Sequence, residues 1–87
     1  MPTVWIPSLL RSLTDGQQTV SVEGKSVREV IDQLERRFPG IREQLCEGDR
    51  LRPTMSVIVD GRTSALKLRQ PLVESSEVHF VPVIQGG

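Results

Sequence analysis

Ser26-Val27-Arg28-Glu29-Val30-Ile31-Asp32-Gln33-Leu34-Glu35-Arg36-Arg37-Phe38-Pro39-Gly40 contains a helix start, a helix face and a helix stop. Ser26 and Glu29 have the spacing of a capping box, in which hydroxyl and carboxylate satisfy backbone N–H groups that an opening helix leaves orphaned. Val27, Val30, Ile31, Leu34 and Phe38 then fall on one apolar stripe, while Arg28, Asp32, Glu35 and Arg36 take the rest of the surface. Pro39-Gly40 ends the helix. The charges Arg28, Asp32 and Arg36 lie four residues apart, where opposite signs add about 0.2–0.5 kcal/mol per pair. One helix with one apolar stripe needs a single partner layer.

The flanking sequence supplies that layer as strands. Upstream, Thr3-Val4-Trp5-Ile6 is rich in β-branched and aromatic residues and stops at Pro7, which cannot donate to a ladder. Asp15-Gly16 is a turn pair, and Thr19-Val20-Ser21-Val22 alternates with the period of a half-buried strand, so a hairpin is expected. Downstream, Ile41 to Leu45 suits another short helical turn, and Glu47 to Pro53 reads as loop. Ser56-Val57-Ile58-Val59 followed by Asp60-Gly61 is a strand with a hairpin signal. Leu66 to Leu72 alternates weakly, as a short strand, and Ser75-Ser76-Glu77 turns the chain into a last strand from Val78 to Ile84. Strand, strand, helix, strand, short strand, strand describes an α+β domain with one main helix across one face of a sheet. Val4, Ile6, Val20, Val22, Val30, Ile31, Leu34, Val57, Val59, Val78 and Phe80 are expected inside. Alternation puts Trp5 and Val81 on the outer face. Two readings of Trp5 stand side by side: a ring covered by the chain's own loops, or, beside Pro7 and Val81, a docking patch.

Length and composition narrow the functions. A chain of 87 residues supports one domain, too small for an interdomain catalytic cleft. Eleven basic groups balance eleven acidic ones, which removes the cation surplus that nucleic-acid binding requires. The longest apolar runs are far below the ~20 residues of a membrane span. The lone Cys46 has no partner for a disulfide or a multi-cysteine zinc site, and no secretory signal is evident, so a cytoplasmic location is expected. His79, the only histidine, alternates outward between Val78 and Phe80 with no metal motif, and is read as structural or solvent-facing. Cys46 is read as a small buried or half-buried thiol. Glu74 and Glu77 belong to a solvated surface, and no glycine-rich phosphate cradle appears.

The remaining unusual feature is the closing run Val83-Ile84-Gln85-Gly86-Gly87. Two glycines have no Cβ to obstruct a narrow channel, and a terminal glycine presents an unhindered carboxylate. Extended, five residues reach up to ~17 Å beyond the last strand. The domain is accordingly divided into residues 1–82 and a flexible tail, 83–87. A carboxylate becomes reactive when ATP converts it to an acyl-adenylate, with Mg²⁺ and ATP held by a partner and no cofactor held by the chain itself.

The stretch Glu77-Val78-His79-Phe80-Val81-Pro82-Val83-Ile84-Gln85-Gly86-Gly87 resembles the closing signature of the ubiquitin-like sulfur carriers of the MoaD/ThiS type, and the resemblance covers nearly the whole chain. It implies a β-grasp fold with a mixed sheet of four to five strands. It also implies that the Gly87 carboxylate is adenylated by an E1-like enzyme of MoeB/ThiF type and converted to a thiocarboxylate that donates sulfur. The chain is then a protein cosubstrate rather than an enzyme, and a monomer when free. Gly86 and Gln85 thread the tail, and Val81 matches an outward apolar position at which the family docks partners; Trp5, placed there by alternation alone, completes the expected docking set with Pro7 and Val83. Val4 with Ile6-Pro7, Leu10-Arg11, Thr14 with Gly16-Gln17, Val30-Ile31, Leu34-Glu35, and Gly40-Ile41 with Leu45 are similar to the family's cysteine-biosynthesis branch. That branch implies a pyridoxal-phosphate cysteine synthase and a zinc metallopeptidase as partners. Two departures from it are a shorter Glu47 to Pro53 loop and Ile84-Gln85 in place of smaller residues. A molybdopterin synthase small subunit, a thiamine thiazole carrier and a modifier conjugated to lysines use the same kind of tail and stay open as alternatives.

Overall fold

The computed structural model describes residues 1–84. The chain runs β1 (Thr3–Trp5), a 3₁₀ helix (Ser8–Thr14), β2 (Thr19–Ser21), α1 (Val27–Arg37), α2 (Ile41–Leu45), β3 (Cys46–Glu47) and β4 (Arg50–Leu51). It continues with β5 (Met55–Val59), β6 (Arg62–Thr63), a second 3₁₀ helix (Lys67–Arg69) and β7 (Glu77–Pro82). Five strands form one mixed sheet in the order β2-β1-β7-β5-β6, and β3 and β4 pair separately. The terminal strands β1 and β7 run parallel at its centre, with Val4 opposite Val78 and Trp5 opposite His79. The other pairings are antiparallel.

The helix forms where its signals place it. Ser26 Oγ accepts from the Glu29 N–H at 3.3 Å, while the Glu29 carboxylate reaches back one residue further than expected, to the Lys25 N–H. The start is also fastened to the chain after the second 3₁₀ helix, through Val27 N–H to Gln70 O and Leu72 N–H to Lys25 O. Gly24 lies so close beneath this first turn that a Cβ there would stand 2.8 Å from Val30 Cγ2 and 2.9 Å from the Val30 nitrogen. Val27, Val30, Ile31 and Leu34 are buried, with 0–1% of their surface exposed. Each such side chain contributes roughly 1.5–3 kcal/mol relative to an exposed one. Every residue expected in the core is buried, joined by Leu10, Ile41, Leu45, Leu51, Leu68 and Leu72. The Asp60-Gly61 turn of the β5–β6 hairpin has φ of 50° and 83°, the paired left-handed geometry that favours these residues.

Four expectations need correction. The β1–β2 connection is no simple hairpin, because Ser8–Thr14 winds as a 3₁₀ helix before Asp15-Gly16 turns the chain. The short strand is Arg62–Thr63, and Leu66 to Leu72 holds the second 3₁₀ helix instead. The Glu47 to Pro53 stretch contains a two-residue strand, paired back to Cys46–Glu47 around Gly48. Asp32 binds Arg42 of α2 rather than Arg28 or Arg36, tying the two helices together. Glu35 tightens the same corner by accepting from the backbone N–H groups of Gly40 and Arg42. These bonds stabilise its ionised form and hold its carboxyl below the ordinary glutamate value.

Candidate functional site

The sheet has two faces. α1 covers one; the other presents alternate residues of β1, β7 and β5, so Trp5, His79, Ile58, Ser56 and Val81 lie side by side. The parallel pairing sets Trp5 directly beside His79, and the rings stack with centroids 5.0 Å apart and planes 7° from parallel. Trp5 Nε1 donates a long bond of 3.4 Å to Glu77 Oε1. His79 is half-buried by this arrangement and faces outward, as alternation requires. Trp5 is 38% exposed, so the chain's own loops do not cover it over.

Beside the stacked pair is a hollow of about 320 Å³, lined by Trp5, Pro7, Leu9, His79, Val81 and Pro82 among others. Trp5 and Val81 are exposed at its rim, whereas Pro7 is buried and forms part of its wall instead of projecting. Leu9, 82% exposed, was not among the expected docking residues. A signal for it was present: in Pro7-Ser8-Leu9-Leu10-Arg11-Ser12-Leu13, Leu10 and Leu13 stand three apart, the 3₁₀ period, which turns Leu9 outward. In the structure Leu10 is buried and Leu13 packs against the core.

The tail begins at this hollow. β7, the middle strand of the sheet, ends at Pro82. One further bond, from the Val83 N–H to the Thr54 carbonyl at 2.9 Å, ties the chain down beyond the expected boundary at residue 82. Val83 is exposed and Ile84 is 99% exposed. Gln85, Gly86 and Gly87, the expected threading and reactive residues, lie outside the described residues.

The other chemical candidates are inert. Cys46 is buried in the core on β3, and burial pushes its thiol up despite the opposing charges of Arg42, Arg28 and Arg52. Among the described residues no group of three His, Cys, Asp or Glu side chains is arranged to hold a metal ion. No described helix is long and apolar enough to cross a membrane.

The hollow thus lies beside the last described residues of the chain, the exposed Val83 and Ile84. The pattern of the ThiS family matches residues 4–87. The sulfur carrier proteins CysO of Mycobacterium tuberculosis and Mycobacterium bovis are 30% identical over 90 residues, covering 98% of this chain and 97% of theirs. The Amycolatopsis orientalis chain solved in a BexX/CysO complex superposes with a TM-score of 0.90 at 30% identity, each chain fully covered. Mycobacterium tuberculosis CysO gives 0.89 at 28%, over 97% of this chain and 100% of its own. The small archaeal modifier protein 1 of Methanosarcina acetivorans, 21% identical with a TM-score of 0.81 over 99% and 95% of the two chains, shares the fold. The fold is the ubiquitin-like β-grasp, and the chain belongs to the ThiS family as a small sulfur carrier protein.

Proposed function

We propose that the chain carries sulfur as a thiocarboxylate on Gly87 and delivers it in cysteine biosynthesis. The observation that supports this best is the match to the CysO sulfur carriers, which extends over 98% of the chain. An E1-like enzyme with ATP and Mg²⁺ converts the Gly87 carboxylate to an acyl-adenylate, releasing pyrophosphate. A sulfur donor then displaces AMP and leaves the thiocarboxylate. The domain supplies no catalytic group to these steps. Its contribution is positional: the hollow of Trp5, Leu9 and Val81 seats the partner, and the tie at Val83 fixes where the free tail starts. Four residues beyond Val83 span at most ~14 Å, enough to reach into a partner's active site. The carrier acts as a cytoplasmic monomer and a protein cosubstrate.

Sulfur is consumed on a pyridoxal-phosphate cysteine synthase. The thiocarboxylate sulfur attacks the β-carbon of an enzyme-bound aminoacrylate, forming a thioester to Gly87. The amine freed from the cofactor attacks the thioester carbonyl, so an S-to-N acyl shift leaves cysteine amide-linked to Gly87, and a zinc metallopeptidase releases it. The test is to incubate thiocarboxylated carrier with such a synthase and its activated-serine substrate and to record the intact mass. A species heavier than the unmodified carboxylate form by one cysteine residue is expected. Persistence of the thiocarboxylate there, with transfer to a molybdopterin or thiazole synthase, would redirect the sulfur to those pathways.

A further inference from the structure

A second surface lies on the helix side of the sheet, away from Trp5. Arg28 of α1, Arg50 of β4, and Lys67 and Arg69 of the second 3₁₀ helix line a groove of about 350 Å³, with Asp49 as the only acidic residue among its lining groups. Four cations against one carboxylate is a local surplus in a chain whose basic and acidic groups balance as a whole. Arg28 donates to the Asp49 backbone carbonyl at 3.4 Å, leaving the carboxylate out of that bond. The ion pairs among the described residues are Met1 with Glu74 and Asp32 with Arg42, so none of the four groove cations is in one.

The placement of Lys67 is costly and specific. Its φ of 53° is uncommon for a residue with a Cβ, and local strain of that kind gathers at interaction sites. The buried Ser64 holds it there, accepting from the Lys67 N–H at 3.1 Å while its own hydroxyl donates to Gln70 Oε1 at 2.7 Å. Leu66 next to it is 45% exposed and adds an apolar pad, above a buried Leu68. The groove also reaches the root of the tail: Pro53 lines it, and the next residue, Thr54, takes the bond from Val83. A protein that grips the tail therefore meets the Trp5 hollow on one sheet face and this basic groove on the other.

We propose that the groove docks an acidic segment of the partner protein that receives the tail. Cations drawn from three separate elements match carboxylates spaced along a chain better than one point anion. The apolar pad of Leu66 and the lack of any aromatic among the groove's lining residues suit a peptide rather than stacked bases. The identity of the partner rests on the sulfur-carrier reading; the charge preference of the groove does not.

The test is an NMR titration of the isotope-labelled full chain with three probes: an octaglutamate peptide, octathymidylate and inorganic phosphate. Octaglutamate is expected to give saturable shifts at Arg50, Lys67 and Arg69 without moving the Trp5 indole signal. These should vanish near 1 M salt, where the Debye length is about 3 Å. Reversing charge at Arg50→Glu, Lys67→Glu and Arg69→Glu together should weaken octaglutamate at least about tenfold with the spectrum otherwise unchanged. The single variant Lys67→Glu serves if the triple one misfolds. Shifts centred on the Trp5 hollow, or no saturable shifts, would overturn the proposal. Tighter binding of octathymidylate would assign the groove to nucleic acid, and saturation by phosphate alone to a small anion; either also overturns it. The same titration of a chain lacking Gly87 should be unaltered, so a failure of thiocarboxylate chemistry would show elsewhere and leave this result standing.

Discussion

Trp5 lies flat on His79 at 5.0 Å between ring centroids, with its edge open to the hollow that Leu9 and Val81 flank. An exposed, pre-ordered aromatic gains contact area on docking at little entropic cost, which is why such rings dominate interface energetics. Trp5→Ala and Val81→Lys should each raise the KM of the activating enzyme for the carrier, Trp5→Ala by about tenfold or more on the scale of an interface anchor. Both variants should keep the thermal midpoint of the parent, because neither side chain belongs to the buried cluster. Unchanged activation kinetics in both would remove the hollow as a docking site. Cys46 makes the complementary case. Its buried thiol is held protonated, and the thiolate is the reactive form. The native chain should resist iodoacetamide at neutral pH and become alkylated only on denaturation; rapid native labelling would contradict its inert role. Alternation alone put Trp5, His79 and Val81 on the outer face correctly. It had no means of showing that Pro7 is buried, since burial of a connection depends on the chain that folds over it.

At the scale of elements, α1 was legible because its cap, stripe and stop agree with one another, and agreement between local signals is what specifies an element. The β5–β6 turn was legible through Asp60-Gly61 for the same reason. The 3₁₀ segments were not: the first shows its period only in the single pair Leu10 and Leu13, and Leu66 to Leu72 alternates by accident of its leucines. Two-residue strands such as β3 and β4 are too short to show a period at all. Two predictions belong here. Gly24→Ala would drive a methyl into the first turn of α1, and should destabilise the domain by about 1–3 kcal/mol in urea unfolding, the usual cost of overpacking. A neutral result would mean that the β2–α1 connection shifts freely. Glu35 governs acid stability at the α1–α2 corner. Because its folded carboxyl lies below the ordinary 4.5, it adds stability above that value and loses it as pH falls through the lower folded one. The urea midpoint of the parent should therefore drop more between pH 6 and pH 3 than that of Glu35→Gln. Parallel pH profiles would show that the corner does not depend on the charge.

For the whole molecule, 87 residues build a sheet, one covering helix and a closing strand placed at the sheet's centre. That placement matters because β7 is paired on both sides, to β1 and to β5, so the tail starts from the central strand of the sheet. On the proposed function the domain needs no catalytic residue. It presents the tail beside two surfaces, an apolar hollow and a basic groove, and enzymes perform the chemistry. The architecture followed from the sequence because the sheet and helix bury one continuous core. The expectation for the tail rests on its chemistry alone, since Gly86 and Gly87 have no side chains to pack. The most direct test of sulfur carriage is the intact mass of the chain after incubation with an E1-like activating enzyme, ATP, Mg²⁺ and a sulfur donor. The full chain should gain the difference between a sulfur and an oxygen atom, and a chain extended by one residue after Gly87 should not. A full chain that stays unmodified beside an enzyme active on its own carrier, or an extended chain that is thiolated without trimming, would contradict the account.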